Sequence, residues 1–213
     1  RVSVIVTAYK LAAYLPDTLD SVLAHTGDDW ECLNVDAASP DQSGEIADRY
    51  AAADPRFRVI HNETNQYLAG ARNTAIAQAR GAYVIPLDAD DMLTPHALEI
   101  LAGELDRLRD IDVAYGSVLF VNEDGRTPTD YGIPGVDVGH SRWPVEFRHE
   151  WQLSPPHEQS GRPPNLLPYC SMYRRRAWTL TGGYRTRLRT AEDADFWCRL
   201  SSYGFRPKKV TSA

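Results

Sequence analysis

Residues 83–91 read Tyr-Val-Ile-Pro-Leu-Asp-Ala-Asp-Asp, and this stretch decides the fold class. Its apolar first half is typical of a short buried β-strand. The strand leads directly into three carboxylates, those of Asp88, Asp90 and Asp91. In parallel α/β sheets, ligands bind outside the carboxyl ends of the strands. The stretch therefore predicts a strand whose carboxyl end places acidic side chains at the ligand-binding edge of a sheet.

The same strand pattern recurs on both sides of this stretch. Short apolar runs predict further strands at residues 2–7, 30–35, 57–60 and 113–121. Apolar residues at helical spacing predict helices near residues 15–23, 46–50, 68–79 and 94–108. The last of these helices is predicted to begin at Thr94-Pro95, a capping hydroxyl followed by a proline. This alternation favours a mostly parallel sheet covered by helices on both faces.

The pattern changes in residues 124–168, which hold eight of the 14 prolines and little periodicity. Long irregular segments of this kind are typical of binding loops or disorder, and here Trp143 and Trp151 are candidates to stack on a ligand. Regular structure is predicted to resume near residues 169–173. A helix follows from about Ala191, with Phe196, Trp197 and Leu200 on an apolar face that we assign to the core, and a last strand is predicted at residues 208–210.

Composition excludes several classes of protein. The chain has 213 residues and a formal net charge of −6, which is unfavourable for general nucleic-acid binding. No apolar run approaches the roughly 18 residues of a membrane span. Cys32, Cys170 and Cys198 form no C-x-x-C pair, which argues against a zinc or disulfide framework and indicates a reducing compartment. We therefore expect a cytoplasmic protein without a signal peptide or transmembrane segment, with peripheral association at the membrane face left open.

The common nucleotide and hydrolase motifs are missing from the sequence. It contains no G-x-G-x-x-G after a strand and no G-x-x-x-x-G-K-[ST] phosphate loop. It also lacks the H-E-x-x-H and G-x-S-x-G motifs. His61, His96, His140 and His157 show no metal-ligand spacing, and no role is assigned to them.

The three carboxylates of residues 88–91 have two interpretations. Carboxylates placed together repel one another unless a cation joins them, and Mg²⁺ or Mn²⁺ takes oxygen ligands of this kind. Alternatively the segment is a solvated loop in which Asp91 caps a turn.

Five segments, in order along the chain, resemble the family 2 glycosyltransferases. Residues 2–9 resemble the opening strand and nucleotide-contacting turn of that family, and residues 70–73 its Gly-x-Ala-Arg-Asn segment. Residues 81–91 resemble its Gly-x-Tyr…Leu-Asp-x-Asp-Asp segment. Residues 182–184 resemble its Gly-Gly-aromatic element, and residues 192–193 its Glu-Asp element. The resemblance covers nearly the whole chain.

The resemblance implies a single-domain α/β protein with the GT-A (Rossmann-like) fold. Residues 1–121 would form the nucleotide-sugar-binding half and residues 122–213 the acceptor-side half, truncated at its C-terminal end. The implied activity is metal-dependent transfer of a sugar, with inversion, from a nucleotide-sugar donor to a hydroxyl of a glycan or lipid-linked acceptor. The implied cofactor is Mn²⁺ or Mg²⁺, and the implied process is glycan or cell-surface polysaccharide synthesis.

The resemblance also implies roles for residues of the donor pocket. Thr7, Ala8 and Tyr9 would line the nucleoside pocket, with Tyr9 stacking on the base. Asp36 would serve the same pocket, and Arg72 would lie near the base or the diphosphate. From the residues alone, Tyr9 could be a plain rim aromatic and Arg72 a structural ion-pair partner, for example of Asp36.

Three carboxylates would carry the chemistry. Asp90 would be the metal ligand, Asp88 would contact the donor ribose or the metal, and Asp193 would be the general base. A metal can stabilise a departing diphosphate, and one placed carboxylate can remove the proton of an attacking hydroxyl. Asp193 could instead only cap the helix that begins beside it.

One position departs from the family pattern. After the second strand the family usually carries two adjacent acids, but here Asp36 is followed by Ala37. This predicts a base pocket that is tolerant of several bases or prefers one other than uracil.

Two other functions stay open: a non-catalytic nucleotide-binding or interaction module of the same fold, and a nucleotidylyltransferase, which the missing Gly-rich phosphate loop disfavours.

Overall fold

The computed structural model describes residues 1–25, 27–116 and 171–210. Within these ranges the chain forms one seven-stranded sheet with six helices. No helix among these residues has the length and apolar character needed to span a membrane. Trp143, Trp151 and the rest of the proline-rich segment lie outside the described residues.

The first half of the chain alternates strand and helix, as the sequence predicts. Pro16 lies in the first turn of its helix, where its missing N–H costs nothing. The elements are β1 (Val2–Ala8), α1 (Leu15–Leu23), β2 (Trp30–Asp36), α2 (Ser43–Ala53), β3 (Phe57–His61), α3 (Tyr67–Gln78) and β4 (Tyr83–Asp88).

The second half holds shorter strands. The elements are α4 (Ala97–Arg107), β5 (Val113–Tyr115), β6 (Met172–Arg174), α5 (Arg175–Thr181), α6 (Glu192–Ser202) and β7 (Pro207–Lys209). The predicted strand at 113–121 ends at Tyr115, and its residues from 117 onward lie outside the described ranges.

The predicted start of α4 at Thr94-Pro95 is wrong. His96 has a left-handed backbone with φ of 68°, which interrupts the helical path, so α4 begins at Ala97. Thr94 contributes its carbonyl to a turn, accepting a hydrogen bond from the Ala97 N–H at 3.1 Å.

The strand order is β3-β2-β1-β4-β6-β5-β7. The pairs β3–β2, β2–β1, β1–β4 and β5–β7 are parallel, and β6 runs antiparallel to both β4 and β5. The sheet is therefore mostly parallel, with β1 near its centre, which confirms the predicted fold class.

Alternate residues of β1 pack against helices on opposite faces of the sheet. Val4 and Val6 belong to a core cluster with residues of α1, α2 and α4. Ile5 belongs to a second cluster with residues of α3, α5 and α6. Phe196 and Trp197 are almost fully buried in that second cluster, which confirms their assignment to the core.

Candidate active site

The carboxyl ends of β1, β2 and β4 meet at one edge of the sheet. In the strand register, Thr7 lies opposite Asp88 and Ala8 lies opposite Asp36. Four of the residues predicted for the donor site are thus brought together by strand pairing alone.

The side chain of Thr7, at this edge of the sheet, carries a buried and unpaired hydroxyl. The residue is 7% exposed, and its Oγ1 has no hydrogen-bond partner among the described residues. An unpaired buried hydroxyl is costly, so most are hydrogen-bonded. Thr7 Oγ1 is therefore a buried polar group that the described residues leave unsatisfied, and its place in the nucleoside pocket stays a prediction.

Asp36 is held by contacts to both carboxylate oxygens. Oδ1 accepts the Ser39 N–H at 2.9 Å, and Oδ2 lies 3.1 Å from Nδ1 of His61. The absence of a side chain at Gly44 makes room for this carboxylate, because a Cβ there would lie 2.8 Å from Oδ2. Asp36 is thus fixed in one orientation.

His61 lies between two carboxylates. Its Nε2 is 3.0 Å from Oδ1 of Asp48, on the opposite side of the ring from Asp36. Hydrogen bonds to Asp48 and Asp36 raise the pKa of His61 above its ordinary value. Sequence reasoning assigned His61 no role, because its two partners come from different elements.

The residues that flank this pocket differ in exposure. Ala8 and Ala37 are buried, and the Ala37 N–H donates to the Ala8 carbonyl at 3.0 Å. Tyr9 is 41% exposed, with Nζ of Lys10 lying 5.4 Å from its ring centroid. An exposed ring at the strand edge is compatible with either of the roles predicted for Tyr9.

The acidic loop after β4 concentrates negative charge. Asp88 is partly exposed and Asp90 is exposed, while the Asp91 N–H donates to the Asp88 carbonyl at 3.0 Å in a turn. Burial, with added repulsion from the charges of Asp88 and Asp90, raises the pKa of Asp91 to about 6. A cation at this loop would relieve that repulsion.

The metal site predicted at this loop stays a prediction. No cluster of three or more His, Cys, Asp or Glu side chains that could hold a metal occurs among the described residues. Mg²⁺ is commonly bound by one or two carboxylates together with substrate phosphates and water. Asp90, with Asp88 beside it, can supply such oxygen ligands.

Arg72 of α3 joins this loop to a distant helix. Its side chain is 2% exposed; Nη2 donates to Asp88 at 2.7 Å and Nη1 donates to Glu192 at 2.9 Å. Although burial lowers the pKa of Arg72, the Asp88 charge and its other neighbours raise that pKa above its ordinary value. Arg72 is therefore an ion-pair partner, as the alternative interpretation predicted. Its partners are Asp88 and Glu192, so the suggested partner Asp36 is wrong.

Sequence reasoning named Glu192 only as part of the Glu-Asp element and as the next candidate for the base after Asp193. Glu192 is 5% exposed at the start of α6, where it accepts the Arg72 bond. Burial raises the pKa of Glu192 in spite of the opposing charge of Arg72. The Glu-Asp pair was visible in the sequence, but no local signal connects it to Arg72.

Asp193 lies in the first turn of α6, next to Glu192. Its Oδ1 accepts the Ala194 N–H at 2.7 Å, which satisfies one N–H group at the helix N-terminus. Asp193 is not the cap of α6, because the N-cap position is Ala191 and no side chain caps the helix there. The predicted role of Asp193 as a base remains a prediction, as do the donor and metal roles of the other site residues.

Comparison with known proteins gives the chain a family context. The model of the family described as "Glycosyl transferase family 2" matches residues 3–180. EpsE of Bacillus subtilis (strain 168) is 30% identical over 219 residues, covering all of this chain and 71% of that protein. Chondroitin synthase of Pasteurella multocida (strain Pm70) is 29% identical over 203 residues, covering 95% of this chain and 19% of that protein.

Solved structures share the fold of the described residues, and their matches cover 100% of this chain. Staphylococcus aureus TarS 1–349 in complex with UDP-GlcNAc gives a TM-score of 0.74 at 24% identity, with 56% of that chain covered. The mannosyltransferase PcManGT from Pyrobaculum calidifontis, in complex with GDP-Man and Mn²⁺, gives 0.71 at 20% identity, with 55% covered. The chain thus spans little more than half the length of these two structures.

Proposed function

The chain belongs to glycosyl transferase family 2, and from this premise we propose that it transfers a sugar, with inversion, from a nucleotide-sugar to an acceptor hydroxyl in a metal-dependent reaction. A polysaccharide synthase among its relatives supports a glycan acceptor. Because the chain covers only part of that relative, the substrates of the whole protein belong to the proposal.

One observation carries the proposal. The buried guanidinium of Arg72 bonds both Asp88, at the predicted donor loop, and Glu192, the neighbour of the predicted base. A donor site and a base must be held in fixed geometry for a direct displacement. The two buried bonds of Arg72 support such a geometry, because they tie the loop that carries Asp88 to the helix turn that carries Glu192 and Asp193.

On the donor side, the proposal gives each residue a physical task. Tyr9 stacks on the base, and the unpaired Thr7 hydroxyl and the fixed Asp36 carboxylate bond the nucleoside. Asp90, assisted by Asp88, would hold Mn²⁺ or Mg²⁺. The bound cation would stabilise negative charge on the leaving nucleoside diphosphate.

On the acceptor side, Asp193 accepts the proton of the attacking hydroxyl. The acceptor oxygen forms a bond to the anomeric carbon as the bond from that carbon to the diphosphate oxygen breaks. The leaving diphosphate keeps the electron pair of the broken bond, and the proton goes to the Asp193 carboxylate. A single displacement without a protein nucleophile inverts the anomeric centre.

The test is Asp193→Asn in the full-length protein, assayed for sugar transfer from UDP-GlcNAc and GDP-Man to glycan oligosaccharides with Mn²⁺. Asparagine is nearly isosteric and keeps a side-chain oxygen for the Ala194 N–H, so the melting temperature and the donor affinity should be retained. We expect turnover to fall by roughly 10²–10⁴. Asp110→Asn, at an exposed position, is the matched control. Turnover of Asp193→Asn within about threefold of that control would remove Asp193 from the mechanism.

The alternative function is a non-catalytic nucleotide-binding or interaction module. Ala37 favours it, because this position lacks the second acid usual in the family. A wild-type protein that binds a nucleotide-sugar with Mn²⁺ but neither transfers nor hydrolyses the sugar would support this alternative over the transferase.

A further inference from the structure

We infer that Arg72 and Glu192 are positioning residues that couple the occupancy of the donor loop at Asp88 to the placement of Asp193. The inference rests on the proposed function, which gives Asp88 to the donor and Asp193 to the acceptor. Neither Arg72 nor Glu192 needs to touch a substrate for this coupling to act.

The geometry of Arg72 makes the link direct. One terminal nitrogen donates to Asp88 and the other donates to Glu192. These partners lie 16 and 120 residues from Arg72 in the sequence. Because the guanidinium is planar and rigid, moving it toward one carboxylate changes its bond to the other.

The charges of the triad determine the direction of the coupling. One buried cation is shared between the buried carboxylate of Glu192 and the partly exposed carboxylate of Asp88. Burial of the guanidinium limits the screening of these charges by water. When Asp88 engages a cation and its bound diphosphate, part of its negative charge is neutralised. Its pull on Arg72 then weakens, and Arg72 bonds Glu192 more strongly. Donor binding should therefore hold the first turn of α6 more firmly.

Aromatic packing provides a second connection from Arg72 to α6. The guanidinium carbon lies 5.5 Å from the ring centroid of Tyr184. That ring stacks on Phe196 of α6 with the centroids 4.4 Å apart. A shift at Arg72 is thus transmitted to the helix by close-packed rings as well as by the Glu192 bond.

The burial of Glu192 separates its task from that of Asp193. The Glu192 side chain is 6% exposed, and its Oε1 accepts the Arg72 bond. Asp193, one residue further along the first turn, is more exposed. Glu192 therefore fixes the turn, while Asp193 is the carboxylate that an acceptor can reach.

The first test separates binding from turnover with Glu192→Gln. Glutamine keeps an oxygen that accepts from Arg72 but loses the charge, so the protein should fold with a lowered melting temperature. We expect the Kd for UDP or GDP with Mn²⁺ to stay within threefold and kcat to fall at least tenfold. Glu192→Asp, which retains the charge, should recover part of kcat. The control is Glu45→Gln, at an exposed position in the first turn of α2.

The second test measures the coupling without turnover. Hydrogen exchange of the amides of residues 192–196 is followed with and without Mn²⁺ plus UDP or GDP, whichever binds more tightly. In the wild type and Glu45→Gln, ligand should slow exchange at least threefold, and in Glu192→Gln this slowing should be lost.

The outcomes of these tests distinguish the inference from the proposed function. Sugar transfer without any ligand-dependent slowing, or equal kcat in Glu192→Gln and Glu45→Gln, would overturn the coupling and leave the transferase standing. Ligand-dependent slowing that requires Glu192, in a protein that transfers no sugar, would support the coupling and overturn the transferase.

Discussion

The side-chain amide of Asn73 pairs in both directions with the main chain of Tyr184. Its Nδ2 donates to the Tyr184 carbonyl at 2.7 Å, and its Oδ1 accepts the Tyr184 N–H at 2.9 Å. The same Oδ1 accepts the indole N–H of Trp178 at 2.9 Å. These bonds join α3, at the residue next to Arg72, to the distant segment around Tyr184. They require the donor and the acceptor of an asparagine side chain, and they require the neighbouring Gly183 to have no side chain.

Gly183→Ala should be far more destabilising than Gly182→Ala. Both glycines have positive φ, 72° and 76° respectively, so alanine at either position should cost about 1 kcal/mol of unfolding free energy. A Cβ at Gly183 would also lie 2.6 Å from Nε1 of Trp178 and 2.7 Å from Oδ1 of Asn73. We expect this collision to cost at least about 2 kcal/mol more, because it disrupts the Asn73 bonds.

Urea unfolding of both glycine variants gives the comparison. Gly182 is the matched control, since nothing lies within 4 Å of a Cβ placed there. Equal losses in the two variants would mean that the Asn73 contacts add nothing to stability.

Asp90→Ala should abolish the Mn²⁺-dependent part of nucleoside diphosphate binding. Asp90 is exposed at the end of the acidic loop, so its removal should leave the melting temperature within a few degrees of the wild type. Isothermal titration with and without Mn²⁺ should show at least a tenfold loss of affinity. Asp110→Ala is the control, and an Asp90→Ala protein with the Mn²⁺ dependence of that control contradicts the ligand role.

The base pocket should discriminate weakly among nucleotides or prefer one other than UDP. A hydrogen bond from a uracil imide to a charged group contributes roughly 1.5–3 kcal/mol, and the Ala37 side chain cannot accept one. The absence of this hydrogen bond should lower the preference for UDP over the other nucleotides by about tenfold or more. Affinities for UDP, GDP and dTDP measured in one buffer with Mn²⁺ provide the check. A strong preference for UDP would show that another group replaces the missing acid.

Folding stability should carry a pH dependence that originates at His61. Its pKa is raised above the ordinary value of 6.5, first by Asp48 and then by Asp36. A raised folded-state pKa gives stability that is fully present below pH 6.5 and is lost as the pH rises through the folded-state value. His61→Gln should therefore reduce the unfolding free energy more at pH 5.5 than at pH 8.5.

Urea titrations at several pH values test the His61 prediction, with His96→Gln as the exposed-histidine control. A stability difference between wild type and His61→Gln that does not change with pH would contradict the proposed linkage.

Hydrophobic periodicity in the sequence was enough to predict the parallel half of the sheet. Runs such as residues 2–7 and 83–87 are buried on both faces, so they are continuously apolar and easily recognised. The carboxylates that follow residues 83–87 could be assigned to the binding edge of the sheet, because ligands bind outside the carboxyl ends of parallel strands. The start of α4 was mispredicted because the left-handed conformation of His96 leaves no sequence signal, while Thr94-Pro95 imitates one.

The connections within the site could not be predicted from the sequence. Arg72 and Glu192 are separated by 120 residues, and their bond depends on how two helices pack on the same face of the sheet. His61 has no ligand spacing in the sequence, because its partners Asp36 and Asp48 come from a neighbouring strand and a helix. Local patterns carry no information about such tertiary contacts.

The antiparallel strand β6 has a consequence for the order of folding. Tyr83 of β4 pairs with Arg174 of β6, a residue 91 positions later in the chain. During synthesis β1 to β4 can pair among themselves while the outer edge of β4 still lacks its neighbour, and an unpaired strand edge invites association with other chains. Because α6 emerges later still, the nascent domain should form the parallel strands β1 to β4 early and its reactive geometry last.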